Sequence, residues 1–259
     1  MLFLGLLVTL AAGVSLGLFG GGGSLLILPG IVYFFRRPPL EATAYSLFVV
    51  SIAALVGTLL HGLRRPLPWR KMLSFLAPSM AAAYLTRLLI VPRLPDTLAF
   101  GSVRIDRDKL LMLAFSAFAA AAGAAMLRKR QVGGSRTTPR PRVVPLVGAA
   151  TGALTALLGT GGGFLVVPAL TLLVGLPIHE AAPASLAVVT AQSIAASLGA
   201  LSAMPAFDVG FVTLLTATML VGVALGVAAS KRVRPARLNQ GYAWLVLLVA
   251  AAIAIYELL

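Results

Sequence analysis

Two stretches of this chain, residues 2 to 35 and 143 to 176, are apolar enough to enter a membrane, too long for one crossing, and broken by glycine near the middle. The breakers are Gly20, Gly21, Gly22 and Gly23 followed by Ser24 in the first stretch, and Gly159, Thr160, Gly161, Gly162 and Gly163 in the second. Glycine weakens a helix by about 1 kcal/mol per residue relative to alanine. A helix that stops inside hydrocarbon frees N–H and C=O groups that lipid cannot satisfy, so they must face protein, water or a ligand. Any fold open to this chain has to bring such a partner to both breakers.

The remaining sequence is of the same grade, with 59% hydrophobic residues and a mean hydropathy of +1.00. Six further runs approach the roughly 20 apolar residues that a bilayer requires. They cover residues 41 to 62, 72 to 91, 110 to 127, 181 to 203, 209 to 230 and 241 to 256. Residues 2 to 35 lack a positively charged leader and a small-residue cleavage site, so they are read as mature structure. Without cysteine, and with two histidines, the chain offers no thiolate, no thiol nucleophile and too few ligands for a metal cluster, so neither a metal nor a cofactor is expected. No Ser, His and Asp set or acidic cluster supports an enzyme. The expected fold is an all-α integral membrane protein.

The chain repeats itself. Laying residue n on residue n + 139 gives 15 identities over the 47 positions from Gly13 to Leu59. They include Gly20/Gly159, Gly22/Gly161, Gly23/Gly162, Pro29/Pro168, Pro38/Pro177, Glu41/Glu180 and Ser46/Ser185. Paired Gly, Pro and Glu at one offset mark a duplication, with an N-terminal repeat over 1–127, a basic linker over 128–142 and a C-terminal repeat over 143–259. Lys and Arg favour the cytoplasmic side of short loops. With eight single crossings, 10 of the 21 basic residues fall inside and 11 outside, which is no bias. With each broken segment entering and returning, the count becomes 14 inside and 7 outside. This favours two inverted repeats, each a glycine-broken re-entrant or half-helix pair followed by about three transmembrane helices. The linker is then cytoplasmic and both termini lie outside. Long kinked helices with ordinary crossings remain the alternative.

Inverted repeats with interrupted helices are the usual build of secondary transporters, and half-helix N-termini attract anions. The returning half-helices are expected to begin at Ser24 and Phe164, with the glycines at their N-termini binding a small oxyanion without any buried Arg or Lys. Hydroxyls and an amide within apolar helices add candidate contacts. These are Ser46 and Ser185, Ser51 and Thr190, and Gln192, which has Ala53 as its mate. Helix-to-helix hydrogen bonding accounts for them equally well. Glu41 and Glu180 either cap the first turns of their helices or act as a gating or proton pair. Arg87, near the end of its run, is expected to snorkel to the interface, His61 to be interfacial, and Gly222 and Gly226 to mark close helix packing.

The pattern GxxxGxxGGGGxxLxxP followed by P..EA...SL.VV, present twice, with LPW at 67 to 69 and GxxxGxxxSKRV at 222 to 233, resembles the sulfite exporter TauE/SafE family. The resemblance covers nearly the whole chain. It implies a plasma-membrane permease that carries sulfite, sulfonates, sulfoacetate or thiosulfate, in either direction according to the member; a secondary transporter working by alternating access, running as an exporter, is the expected function. The partners it implies are that oxyanion and the lipid bilayer, with no nucleic acid and with a homodimer left open. Thr160 opposite Gly21, and the insertion-like stretch from Ala99 to Lys109, depart from a strict repeat. An anion channel of similar build, or a membrane enzyme or assembly factor handling phosphate or sulfur groups, are the other readings. The charge count generates a direct test: a reporter that fluoresces only in the cytoplasm stays dark on either terminus, and fluorescence at either one contradicts the topology.

Overall fold

The computed structural model describes residues 2–62, 69–95, 97–100, 103–131, 143–161, 163–174, 176, 178–201, 208–230 and 235–258. Gly162, Pro177 and most of the 128–142 linker lie outside the described residues. Helix α1 (Leu2–Phe19) ends at the first breaker, and α2 (Gly23–Pro29) follows it and continues as a π-turn over Gly30–Phe34. Next come α3 (Pro39–Gly62) and α4 (Trp69–Leu85), which extends through a π-turn at Thr86–Ile90 and a 3₁₀ turn at Val91–Arg93. An antiparallel ribbon, β1 (Thr97–Phe100) with β2 (Val103–Asp106), leads into α5 (Arg107–Gln131). The second half repeats the plan as α6 (Val143–Leu158), α7 (Gly163–Pro168) with a π-turn at Ala169–Leu173, α8 (Ile178–Leu201), α9 (Val209–Ser230) and α10 (Pro235–Leu258). Seven of the described helices are long and apolar enough to cross a membrane.

The returning half-helices begin one residue earlier than the sequence suggests, at the last glycine of each breaker. Both slip into a π-turn directly after a proline, Pro29 or Pro168. Proline lacks an N–H and its ring crowds the preceding turn, so the regular ladder cannot continue through it. The first broken segment folds back on itself. A Cβ placed on Gly5, near the start of α1, would stand 2.5 to 2.6 Å from the Phe35 ring, and one on Gly30 would stand 3.2 Å from Val8.

The two halves do not build separate cores. The largest helix contacts join α1 to α9, α4 to α6, α5 to α10 and α3 to α8, so each pairs a helix before the linker with one after it. Glycine sets two of these contacts. Gly13 and Gly17 of α1 face Gly222 and Gly226 of α9, so close that a Cβ on Gly13, Gly17, Gly222 or Gly226 would overlap a carbonyl of the other helix. Gly148 and Gly152 of α6 meet the carbonyls of Phe75 and Ser79 on α4 in the same way. In both pairs residue numbers rise together, so α1 runs parallel to α9 and α6 parallel to α4. Without a strong hydrophobic drive inside lipid, such backbone approach and its dispersion contacts hold helices together.

One end of the bundle gathers the start of α1, residues 33 to 37, Asp208 and Glu257. Tyr33 donates to Glu257 Oε1 at 2.8 Å, and Arg37 pairs with Asp208 at 3.1 Å beneath the Tyr45 and Phe211 rings. Asp208 also accepts from the Phe211 N–H at 2.9 Å and so caps α9.

The interface between α4 and α6 generates a stability prediction. Gly152→Ala forces a Cβ against the Ser79 carbonyl and destabilises the protein by about 1 to 3 kcal/mol. Gly210→Ala is the control, because the nearest atom to its added Cβ is 3.6 Å away. Thermal unfolding in detergent separates the two, and equal midpoints contradict the packing.

Candidate functional site

Each breaker is held by a serine from the opposite half. Helix α1 ends when the Gly20 N–H donates to Leu16 O at 2.9 Å and Gly20 turns to φ +79°. Helix α6 ends in the same manner, with Gly159 N–H to Thr155 O at 2.9 Å and φ +66° at Gly159. Positive φ is a conformation glycine adopts without strain. The carbonyl that each turn releases then finds a hydroxyl: Ser185 of α8 shares its proton between Gly20 O and Ala182 O of its own helix, each at 2.7 Å, and Ser46 of α3 shares its proton between Gly159 O and Thr43 O. Both serines and both glycines are 139 positions apart, so the same bond is made twice, in opposite directions, between the halves. Ser46 and Ser185, together with both glycine turns, thus meet in one buried region.

Between those turns the two loops touch. Gly21 and Gly163 lie backbone to backbone, so that a Cβ on either would overlap the carbonyl of the other. Ser24 Oγ bridges them, donating to Gly21 O at 2.9 Å and accepting from the Gly163 N–H at 3.1 Å. Tyr242 of α10 closes the side of this contact: its hydroxyl donates to Gly163 O at 3.3 Å and its ring lies 2.8 Å from a Cβ on Gly22. Gly23 fits against Ala12 O and Leu16, and Gly20 against the Ala182 backbone. Close packing against the other half therefore accounts for most of the glycines.

The two loops also differ. Gly161 has φ +67°, whereas its mate Gly22 is helical at φ −66°. Thr160, buried, stands where the first loop has Gly21. A Cβ on Gly161 would meet Val50 at 2.5 Å and Ser193 Oγ at 2.7 Å.

The other expected contacts are sorted by position. Gln192 reaches the second breaker, its Oε1 accepting from Thr155 Oγ1 of α6 at 3.4 Å. Ser51 bonds to Phe48 O of its own helix at 2.7 Å. Thr190 bonds to Leu186 O at 2.8 Å and meets Thr58 Oγ1 at 3.3 Å, joining α8 to α3 away from the breakers. Glu41 and Glu180 are exposed in the first turns of α3 and α8. His61 is half-buried, with a ring nitrogen 3.1 Å from Gly17 O in the last turn of α1.

Arg87 corrects two expectations. It does not snorkel: it is 4% exposed, donating through Nη1 to Ala156 O at 3.3 Å and through Nη2 to Thr43 Oγ1 at 2.8 Å. It also places a buried cation beside the second breaker, where none was expected, because Thr43 packs directly on Gly159. The cause is tertiary. The π-turn at the end of α4 carries Arg87 onto the C-terminal turn of α6, where a cation complements the exposed carbonyls and the helix dipole. The sequence held one signal for it: Arg87 falls on Gly226 in the 139-residue register.

The crossed serines generate a stability prediction as well. Ser185→Ala leaves the Gly20 carbonyl without that donor and costs about 1 to 3 kcal/mol. Ser51→Ala, whose hydroxyl serves its own helix, stays within roughly 0.5 kcal/mol. Unfolding midpoints that fall equally for both variants contradict the bond between the halves.

The family model described as "Sulfite exporter TauE/SafE" matches residues 5–253. A "Probable membrane transporter protein" of Xylella fastidiosa strain Temecula1 is 31% identical over 199 residues, 71% of this chain and 69% of its own. Another protein of that description, from Methanocaldococcus jannaschii, is 24% identical over 197 residues, 73% of this chain and 68% of its own. No solved structure matches the chain. With a family model matched across nearly its full length and a relative above 30% identity over most of both chains, this protein belongs to the sulfite exporter TauE/SafE family of membrane transporters.

Proposed function

We propose that the protein is a secondary transporter of small sulfur-containing oxyanions, such as sulfite, sulfonates, sulfoacetate or thiosulfate, and that it works by alternating access. The observation that carries this reading is the reciprocal hold of the breakers, Ser46 on Gly159 and Ser185 on Gly20. Because every such bond crosses between the halves, a shift of one half against the other must remake both breakers together. The plug of Gly21, Ser24 and Gly163 is then the closed state of the pathway, and parting it presents glycine N–H groups to an anion. Gly20 to Ser24, and Gly159 to Gly163 with Thr160, are the backbone part of the site, while Glu41 and Glu180 stand at its two mouths.

Two inverted repeats, covering 1–127 and 143–259 and joined by a cytoplasmic linker, fit the helix directions. Helices α1 and α9 are parallel, as are α6 and α4, while α3 leads away from the end that holds Arg37 and Asp208 and α4 leads back to it. That end also holds Glu257, near the C-terminus, and the start of α1, which suits termini on one side, outside an inner membrane. Moving one negative charge outward across about 100 mV, inside negative, releases roughly 2.3 kcal/mol. Uncoupled carriage of an anion therefore runs as export.

Flux from liposomes tests the reading. Purified protein is expected to release loaded sulfite, thiosulfate or sulfoacetate with a rate that saturates, and to show counterflow. Saturation without counterflow, a rate linear in concentration, or no flux of any of the three contradicts it.

A further inference from the structure

Every described partner of Arg87 is a neutral oxygen. Nη1 holds Ala156 O, Nη2 holds Thr43 Oγ1, and among the described residues no carboxylate pairs with it. A guanidinium does not give up its proton in a protein. A full positive charge therefore sits among apolar helices, 4% exposed, beside the C-terminal turns of α6 and α8 and, among the described residues, without a carboxylate. Ion pairs within a membrane bundle normally neutralise such a charge, and an intramembrane cation without one points to a ligand.

Two more buried donors lie on the same stretch of chain. Among the described residues Gln192 Nε2 and Ser193 Oγ have no hydrogen-bond partner, and both residues are fully buried. Gln192 is fastened through its Oε1 to Thr155, the neighbour of Ala156, and Ser193 Oγ stands against Gly161. The guanidinium, the amide and the hydroxyl thus surround residues 155 to 161, the tip of the second hairpin, approaching from α4 and α8. Native proteins seldom leave buried donors without acceptors, and these two face the same segment that the cation holds. In the 139-residue register Arg87, Gln192 and Ser193 fall on Gly226, Ala53 and Ala54, which bring no side-chain donor to the first hairpin.

We propose that Arg87, Gln192 and Ser193 form the charge-reading site for the oxyanion, located at the second breaker alone. When the plug parts, the guanidinium leaves the Ala156 carbonyl and takes the anion, while the Gln192 amide and the Ser193 hydroxyl fill its remaining acceptor positions. The first hairpin shares the gating motion and brings hydroxyls, Ser24 and the buried Ser15 against Gly22, but no charge. This rests on the transporter reading and adds to it a one-sided anion site whose charge comes from a side chain.

The test is the concentration dependence of sulfite flux in proteoliposomes, measured beside thermal unfolding of the unliganded full chain. Arg87→Gln is expected to raise the KM for sulfite about tenfold or more, the loss typical of one charge-assisted hydrogen bond, and Arg87→Lys to recover part of it. Gln192→Leu and Ser193→Ala are both expected to raise KM; Ser193→Ala leaves the unfolding temperature unchanged or higher, because it removes a buried donor without a partner among the described residues, whereas Gln192→Leu lowers it by also removing the acceptor of Thr155 Oγ1. Should Arg87→Gln fail to fold, those two variants carry the test. Wild-type KM in all the folded variants, or a lowered unfolding temperature with KM unchanged, overturns the proposal and shows Arg87 to be a helix cap. A wild-type protein that moves no sulfite, thiosulfate or sulfoacetate overturns the transporter reading itself, and the site with it.

Discussion

A helix that stops inside a membrane leaves a carbonyl that lipid cannot satisfy, and this protein meets that constraint twice with the same device. The carbonyl of Gly20 is held by Ser185 and that of Gly159 by Ser46, each serine coming from the other half of the chain. Neither half can bury its own breaker without the other, so the two halves of the chain form one interleaved core instead of two domains. The contacts of α1 with α9 and of α4 with α6 follow from this, because each hairpin needs a wall supplied across the repeat. Glycine makes those walls close enough for backbone to touch backbone.

The same arrangement links structure to transport. A solute path placed inside one half could open without disturbing the other. A path placed at the breakers cannot, since the Ser24 bridge and the crossed serine bonds run through it. The proposed alternation asks for modest shifts of packed helices that exchange one set of partners for another, which is how bistable interfaces switch. The loops differ at Gly21 against Thr160 and at Gly22 against Gly161, so the proposed path would have distinct chemistry on its two sides.

Much of this was legible in the sequence. The 139-residue offset marked both breakers, the paired serines and the prolines that end the returning half-helices, because Gly, Pro and Ser are few enough in an apolar chain for coincidence to stand out. Gly222 and Gly226 were legible as a close-packed face. What escaped was fixed by tertiary contact. Arg87 lies near the end of an apolar run, where snorkelling is the ordinary outcome, and only the docking of α4 on the second hairpin turns it inward. Ser193 and Thr43 look like routine helix hydroxyls until Gly161 and Gly159 are placed against them. The glycines themselves invited an anion-site reading from local physics, whereas their closest neighbours here are carbonyls and side chains of distant segments. The ribbon over Thr97–Phe100 and Val103–Asp106 left its trace only as a stretch without a counterpart in the repeat.

The central claim is that the halves expose the crossed serines alternately. The chain has no native cysteine, so Ser46→Cys and Ser185→Cys each supply a single thiol, at positions fully buried in the closed state. Labelling from each side of sealed vesicles with a membrane-impermeant thiol reagent measures their access. The account predicts that position 46 reacts from one side and position 185 from the other, with rates that sulfite shifts in opposite directions. Both positions reacting from the same side, or neither reacting under any gradient of the anion, would contradict it.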